Sequence, residues 1–196
     1  MDLKYTIINN DYSNIKQVLR EKFNISSRLF LRLRNEGHIF LNGNIASCKE
    51  DLGLNDTIEV DLNFIEDNSN IVATKMDLDI LYEDKYMLIV NKPAGIAVHP
   101  SILHYDTSLS NGVKYYFDSI DLHRKIRIVN RLDRDTSGIV IFAKNEYVQE
   151  CLTYQMEKKI FKKEYIGILD GILDKKCGTI NAPIARKERK HYRKMY

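Results

Sequence analysis

Ile126-Arg127-Ile128-Val129-Asn130-Arg131-Leu132-Asp133-Arg134-Asp135-Thr136-Ser137-Gly138-Ile139-Val140-Ile141-Phe142-Ala143 sets two apolar runs around a polar turn. The runs, 126–129 and 139–143, are short and rich in β-branched residues, which predicts two buried strands. Thr136, Ser137 and Gly138 can turn the chain and hydrogen-bond it locally. Asp133 is thereby held at a strand end, where a rigid scaffold commonly presents functional side chains. A carboxylate so placed can act as a base or as a nucleophile.

Further patterns lie on either side of this stretch. Ile80-Leu81-Tyr82 and Met87-Leu88-Ile89-Val90, separated by Glu83-Asp84-Lys85, predict a hairpin. Asn91-Lys92-Pro93-Ala94-Gly95 then reads as a turn. A helix is expected over 107–117, capped by Thr107 or Ser108, with Leu109, Val113 and Tyr116 or Phe117 inward. Another is expected over 146–159, with Val148, Cys151, Leu152 and Gln155 or Met156 on one face. Residues 162–169 alternate polar and apolar, which predicts a strand.

Residues 1–62 read as a separate small module. Ile15, Val18, Leu19 and Phe23 share one helical face, and Ser26 or Ser27 can cap a second helix over 28–36. Leu29, Leu33 and Phe30 of that helix point inward, leaving Arg28, Arg32 and Arg34 toward solvent as candidate phosphate contacts. Gly37 ends the helix, and Asn42-Gly43 joins strands at 38–41 and 44–46. A third strand is expected over 56–60. Residues 63–76 mix Asp, Asn, Ser and Glu with few large apolar groups, and read as a linker before a domain over 77–196.

Arg131-Leu132-Asp133 followed by Thr136-Ser137-Gly138 matches every fixed position of the RLDxxTSG signature of the RluA-type RNA pseudouridine synthases. The run from Tyr82-Glu83-Asp84 through Asn91-Lys92-Pro93-Ala94-Gly95 to Val98-His99-Pro100 also resembles the opening of that family's catalytic domain. Many members carry His before the arginine, where this chain has Asn130. Ser27-Arg28, Glu36-Gly37-His38-Ile39 and Leu41-Asn42-Gly43 resemble the S4 RNA-binding domain. The resemblance implies an α+β protein: an S4-like α/β module followed by an incomplete, mixed-sheet pseudouridine synthase domain. It implies Asp133 as the catalytic carboxylate, Arg131 filling the space of a flipped base, and Tyr165 stacking on the target uracil. It implies uridine in structured RNA as substrate, ribosomal RNA ahead of transfer RNA, with no cofactor. Full-length members continue with a Gly-Arg-x-His-Gln-type motif whose arginine pairs with the catalytic aspartate. This chain stops after residues resembling the segment before it, so the expectation is a truncated chain. A catalytically inactive RNA-binding protein is the alternative.

Composition agrees with a globular chain: 44% of the 196 residues are hydrophobic and 29% charged. No apolar run is long enough to span a bilayer and no secretory signal opens the chain, so a cytoplasmic location is expected. Cys48, Cys151 and Cys177 form no metal or disulfide spacing, and the five histidines do not cluster as ligands, so no metal is expected. His99 adjoins Pro100 in a matched motif but reads more simply as a turn histidine. Residues 158–196 hold twelve Lys and Arg against four Asp and Glu, a net +8 on a chain of +3. A basic end on an otherwise acidic chain suggests a polyanion partner.

Overall fold

The computed structural model describes residues 2–102, 104–186 and 193–195, and the chain divides after Lys162 into two compact units. In the first, β1 (Leu3–Thr6) precedes α1 (Ile15–Glu21), α2 (Ser27–Asn35), β2 (Ile39–Leu41), β3 (Asn44–Ile45) and β4 (Thr57–Val60). The strands form an antiparallel sheet in the order β1-β4-β2-β3. Both helices start where a side chain can satisfy a free amide: Asn14 accepts from Gln17 N, and Ser26 Oγ from Leu29 N at 3.1 Å. Gly37, at φ +75°, ends α2, and Asn42 and Gly43, at φ +51° and +80°, make the β2–β3 turn. Ile15, Val18, Leu19, Leu29, Phe30 and Leu33 bury the helices' apolar faces against Ile39, Ile58 and Val60. β1 was not among the expected strands, because four residues of alternation are too short a pattern to set apart from a terminus.

A second sheet follows, built from β5 (Ile80–Glu83), β6 (Met87–Lys92), β7 (Arg127–Ile128) and β8 (Gly138–Ala143) in the order β5-β6-β8-β7. The mixed sheet expected from the resemblance is not what forms: every described pairing is antiparallel. The crossover through α3 (Leu109–Ser119) returns the chain as β7 in the direction of β6, but one strand away. β8 then fills the gap, antiparallel to both. Leu109, Val113 and Phe117 of α3 pack on Leu88, Val90, Val140 and Phe142. Gly112 lets α3 approach closely, since a Cβ there would stand 3.0 Å from Met76. α4 (Glu146–Glu157), capped by Asn145, lays Val148, Leu152 and Met156 on Val129, Ile141 and Ala143.

Residues 63–76 contain no helix or strand, yet much of the segment is packed. Leu62, Phe64, Glu66 and Asn68 alternate inward, each less than a tenth exposed. Arg124, itself buried, donates to Leu62 O at 3.0 Å and to Phe64 O, and Asn68 Nδ2 donates back to Arg124 O at 3.0 Å. The segment is an extended strap sewn onto the region just before β7.

In the second unit the strand expected over 162–169 does not form. Tyr165, Ile166 and Ile168 are exposed. Alternation marks a segment that suits a half-buried strand, but a strand exists only when another backbone takes its hydrogen bonds. Among the described residues none does so here. β9 (Ile184–Arg186) and β10 (Arg193–Met195) form an antiparallel pair that the sequence pattern did not announce. Of the basic C-terminal cluster, Lys187, Arg189 and Lys190 lie outside the described residues.

Candidate active site

The loop joining β7 to β8 is pinned along its length. At its start Asn130 is buried; its Nδ2 donates to Ile139 O and its Oδ1 accepts from Ile141 N, both at 2.9 Å. Asn130 thus does by side chain what a longer β7 would have done by backbone. In the middle, Arg134 O accepts from Gly95 N and from Lys92 Nζ, each at 2.9 Å. Thr136 N donates to Asp133 O at 3.1 Å, closing a turn around Arg134 and Asp135. At its end Gly138 sits at φ +126°, a conformation L side chains rarely adopt.

These ties hold the backbone and leave the side chains of Asp133 and Arg131 free. Asp133 and Arg131 are both exposed and share one loop. Among the described residues no side chain donates to the Asp133 carboxylate. Asp135 pairs with its neighbour Arg134, Nε to Oδ1 at 3.1 Å, rather than with Arg131. Tyr165 belongs to the second unit, where its ring is exposed.

The three arginines of α2 part ways. Arg28 projects, its side chain 90% exposed, with Glu146 at 3.8 Å. Arg34 is exposed. Arg32 departs from the solvent-facing position expected of it. Its Nη1 meets Glu66 at 2.9 Å and Glu146 at 3.0 Å, its Nε meets Glu36 at 3.1 Å, and its guanidinium lies 4.6 Å above the Phe64 ring. The helical period puts Arg32 outward from the module's own core, but the strap and α4 cover that side. Arg32, Arg127 and Glu66 form a cluster in which Arg127 and Glu66 are buried and Arg32 is partly exposed, with Arg127 Nη2 2.6 Å from Glu66 Oε1. Burial alone would raise the Glu66 carboxyl, but the hydrogen bonds and charge of Arg127, then Arg32, outweigh it and hold it at about 2.

A cleft of about 850 Å³ opens beside this cluster, between α2, the residues around β7, and α4. Arg20, Arg28, Lys125 and His99 bring exposed basic groups to its lining, and Tyr154 brings an exposed ring. Asp133 is not among its walls. Ser26, which caps α2, also donates its hydroxyl to Glu150 Oε1 at 2.6 Å, and Tyr147 donates to Phe23 O at 3.0 Å, so α4 is tied to the helical pair. No group of three or more His, Cys, Asp or Glu among the described residues is placed to hold a metal ion. No helix among them is long and apolar enough to cross a membrane.

Sequence reading missed Lys92, Glu66, Arg124 and Arg127. A signal existed for Lys92, which continues the inward face of Leu88 and Val90 at two-residue spacing. Glu66 and Arg124 adjoin polar residues, Arg127 lies between Ile126 and Ile128, and their partners are far along the chain, 61 residues for Arg127 and Glu66.

A profile of the family described as RNA pseudouridylate synthase matches residues 86–196. A Bacillus subtilis protein named as the uncharacterized RNA pseudouridine synthase YhcT is 43% identical over 136 residues, covering 69% of this chain and 44% of that protein. The ribosomal large subunit pseudouridine synthase D of Borreliella burgdorferi is 34% identical over 192 residues, covering 94% of this chain and 54% of its own. The chain thus spans about half the length of the relatives it matches. Among solved structures, human RNA pseudouridylate synthase domain containing 1 is similar over 42% of this chain and 29% of its own, with 23% identity and a TM-score of 0.35. The family profile spans more than half of the chain and includes the loop that carries Asp133. On that match, the chain belongs to the RNA pseudouridine synthase family of isomerases.

Proposed function

We propose that this chain isomerises uridine to pseudouridine in structured RNA, with Asp133 as the catalytic carboxylate. The observation that carries the reading is the loop itself: Asn130, Arg134 and Gly138 fix its backbone while Asp133 and Arg131 project. The reaction breaks the bond from N1 of uracil to the ribose and makes one from C5 to the same carbon. C5 loses its proton, N1 regains one, and no electron is gained or lost. The chemistry therefore calls for a positioned carboxylate acting as base or nucleophile, with no cofactor. The uridine must leave its stack to reach the carboxylate, and Arg131, planar and next but one to Asp133, suits the space it vacates. Tyr165 is the candidate to stack on the extruded uracil.

Ribosomal RNA is the favoured substrate class, transfer RNA the second, since the relative from Borreliella burgdorferi is named for the large ribosomal subunit. We assign residues 1–62 as an S4-like RNA-binding module, 63–76 as its connection and 77–196 as the catalytic part, in a cytoplasmic protein. The two-helix, Asn-Gly-hairpin order of the module supports this. Arg28 and Arg34, with Arg20 and Lys125 at the cleft, are the proposed phosphate contacts, and Arg32 is set aside as structural.

The test uses large-subunit ribosomal RNA carrying tritium at C5 of uridine, because pseudouridine formation releases that label to water. The expected result is release by the parent chain and none by Asp133→Asn, with the same melting temperature for both. Release by the Asn variant within roughly tenfold of the parent would remove Asp133 from its role. Binding of the RNA without release by either would leave the reading of a non-catalytic RNA-binding protein.

A further inference from the structure

Three arginines meet the strap, and its buried carboxylate, Glu66, answers two of them, Arg127 and Arg32. The third, Arg124, is only 7% exposed and forms no ion pair among the described residues. It donates through Nη1 to Leu62 O at 3.0 Å and to Phe64 O, and through Nη2 to Asn63 Oδ1. A guanidinium carries five N–H groups. These bonds take three of them, all to neutral acceptors. The Nε–H and one Nη2–H, on an edge the two nitrogens share, have no acceptor among the described residues. Burial pulls the Arg124 pKa below the usual arginine range, against the more distant charges of Glu66, Asp2 and Asp61. A buried cation with donors to spare is costly, and an anion within reach offsets that cost.

Arg124 lines a cavity of about 230 Å³ that shares no wall residue with the cleft beside α2. Lys144, Lys85, Asn145 and Asp2 stand in the wall with it. Lys144 is buried; its Nζ gives two hydrogens, to Glu83 Oε1 at 2.6 Å and to Asp84 O at 2.5 Å, and keeps a third. Asn145 is buried too, and while its Oδ1 caps α4, its Nδ2 donates to none of the described residues. Asp2, the one acid in the wall, is already engaged: Oδ2 accepts from Leu62 N at 2.9 Å, and Oδ1 lies 3.8 Å from Lys85. Three cations thus face one carboxylate, and with Glu83 set against Lys144 one positive charge is left over. Water takes about 30 Å³ per molecule in the liquid, so the cavity has the volume of roughly seven or eight waters. That is room for a phosphate group and its nearest waters, and too little for a whole nucleotide.

We propose that this cavity is a binding site for a small tetrahedral oxyanion, a phosphate group, held by the open edge of Arg124 with Lys144, Asn145 and Lys85. Oxygens pointing in several directions suit donors that arrive from several sides. The chemistry is common to inorganic phosphate and to the phosphate at an RNA terminus. Bound there, the anion joins the residue before β1, the strap, the β5–β6 turn and the cap of α4. Asp133 is not in this wall, and the inference stands apart from its role.

The probe is sodium phosphate, added to the full chain at constant ionic strength with chloride as the balancing ion. The signal is the Arg124 Nε–H resonance in nitrogen–proton correlation spectra, with the exposed Arg28 Nε–H as reference. The Arg124 resonance is expected to shift to saturation with a midpoint on the order of 1 mM, while Arg28 does not saturate. Lys85→Ala, at an exposed side chain, should weaken that midpoint by roughly twofold to fivefold, and Asp2→Asn, which keeps an acceptor for Leu62 N, should tighten it by a similar factor. Thermal melts give a second reading: phosphate should raise the melting temperature of the parent more than that of Lys85→Ala. Two short oligoribonucleotides, alike except for a terminal phosphate, separate the sources. If only the phosphorylated one moves the Arg124 resonance and displaces phosphate, the site takes an RNA end; if neither does, it takes the free ion. Equal movement by both would reduce Arg124 to an ordinary backbone contact and overturn the closed site. The proposal also fails if the Arg124 resonance does not saturate with phosphate, or if neither variant changes the midpoint, since the cavity then holds only water. An equal rise in melting temperature for parent and Lys85→Ala would be the general effect of an excluded salt and would count against the site.

Discussion

Arg28 and Arg32 stand one turn apart on α2 and differ in what holds them. Arg28 has one distant carboxylate and water around it; Arg32 has three carboxylates and an aromatic face. Replacing Arg28 or Arg34 by Ala should weaken RNA binding and reduce the slope of log affinity against log salt by about one each, with melting unchanged. Arg32→Ala should instead destabilise the fold by about 1–3 kcal/mol, because Glu66 and Glu146 lose a charged donor. Titrations of binding against salt, paired with melts, separate the two classes. The helical period of α2 told which side chains face the module's core and was right for Leu29, Phe30 and Leu33. It could not tell that the opposite face meets Glu146, 114 residues on, since nothing local encodes a partner at that distance. The motif singled out Asp133, whereas Lys92, on the inward face of a largely apolar strand, carried only the signal of its spacing.

At the scale of elements, the Asp133 loop and the strap answer to different perturbations. Gly138→Ala puts a side chain at φ +126° and should cost about 1–3 kcal/mol in a denaturant melt. The strap should respond to acid through Glu66. Its folded pKa of about 2 lies below the ordinary carboxylate value of about 4.3, so its stabilisation is complete above about pH 5 and is lost as pH falls through 2. That contribution is on the order of 3 kcal/mol. Urea melts between neutral and acid pH should show the loss, and Glu66→Gln should remove that pH dependence. The same variant should already be weaker at pH 7, since Arg127 stays buried without its anion. Helices and hairpins were readable because caps, Asn42-Gly43 and apolar spacing are local signals. The strap was read as a linker because two of its four inward residues are Glu66 and Asn68. Polar residues turned inward look, in composition, like polar residues turned out.

Across the whole molecule, one apolar core lies under the first sheet and another under the second, and the strap and α4 join them. Residues 162–181, by contrast, are exposed throughout. Brief digestion with a protease of broad specificity should cut first within that stretch and spare 62–71. Early cleavage in the strap would mean that its hydrogen bonds do not hold in solution. The strap also sets the terms on which the two halves could be recombined. A chimera that takes a foreign N-terminal module and joins it at residue 62 would keep Glu66 but lose the Arg32 that shares it. One joined at residue 76 would leave Arg127 and Arg124 facing a stranger's chain. The seam between the halves is written partly in each, so an exchange of modules must carry Arg32, the strap and the residues before β7 together, as one heritable piece.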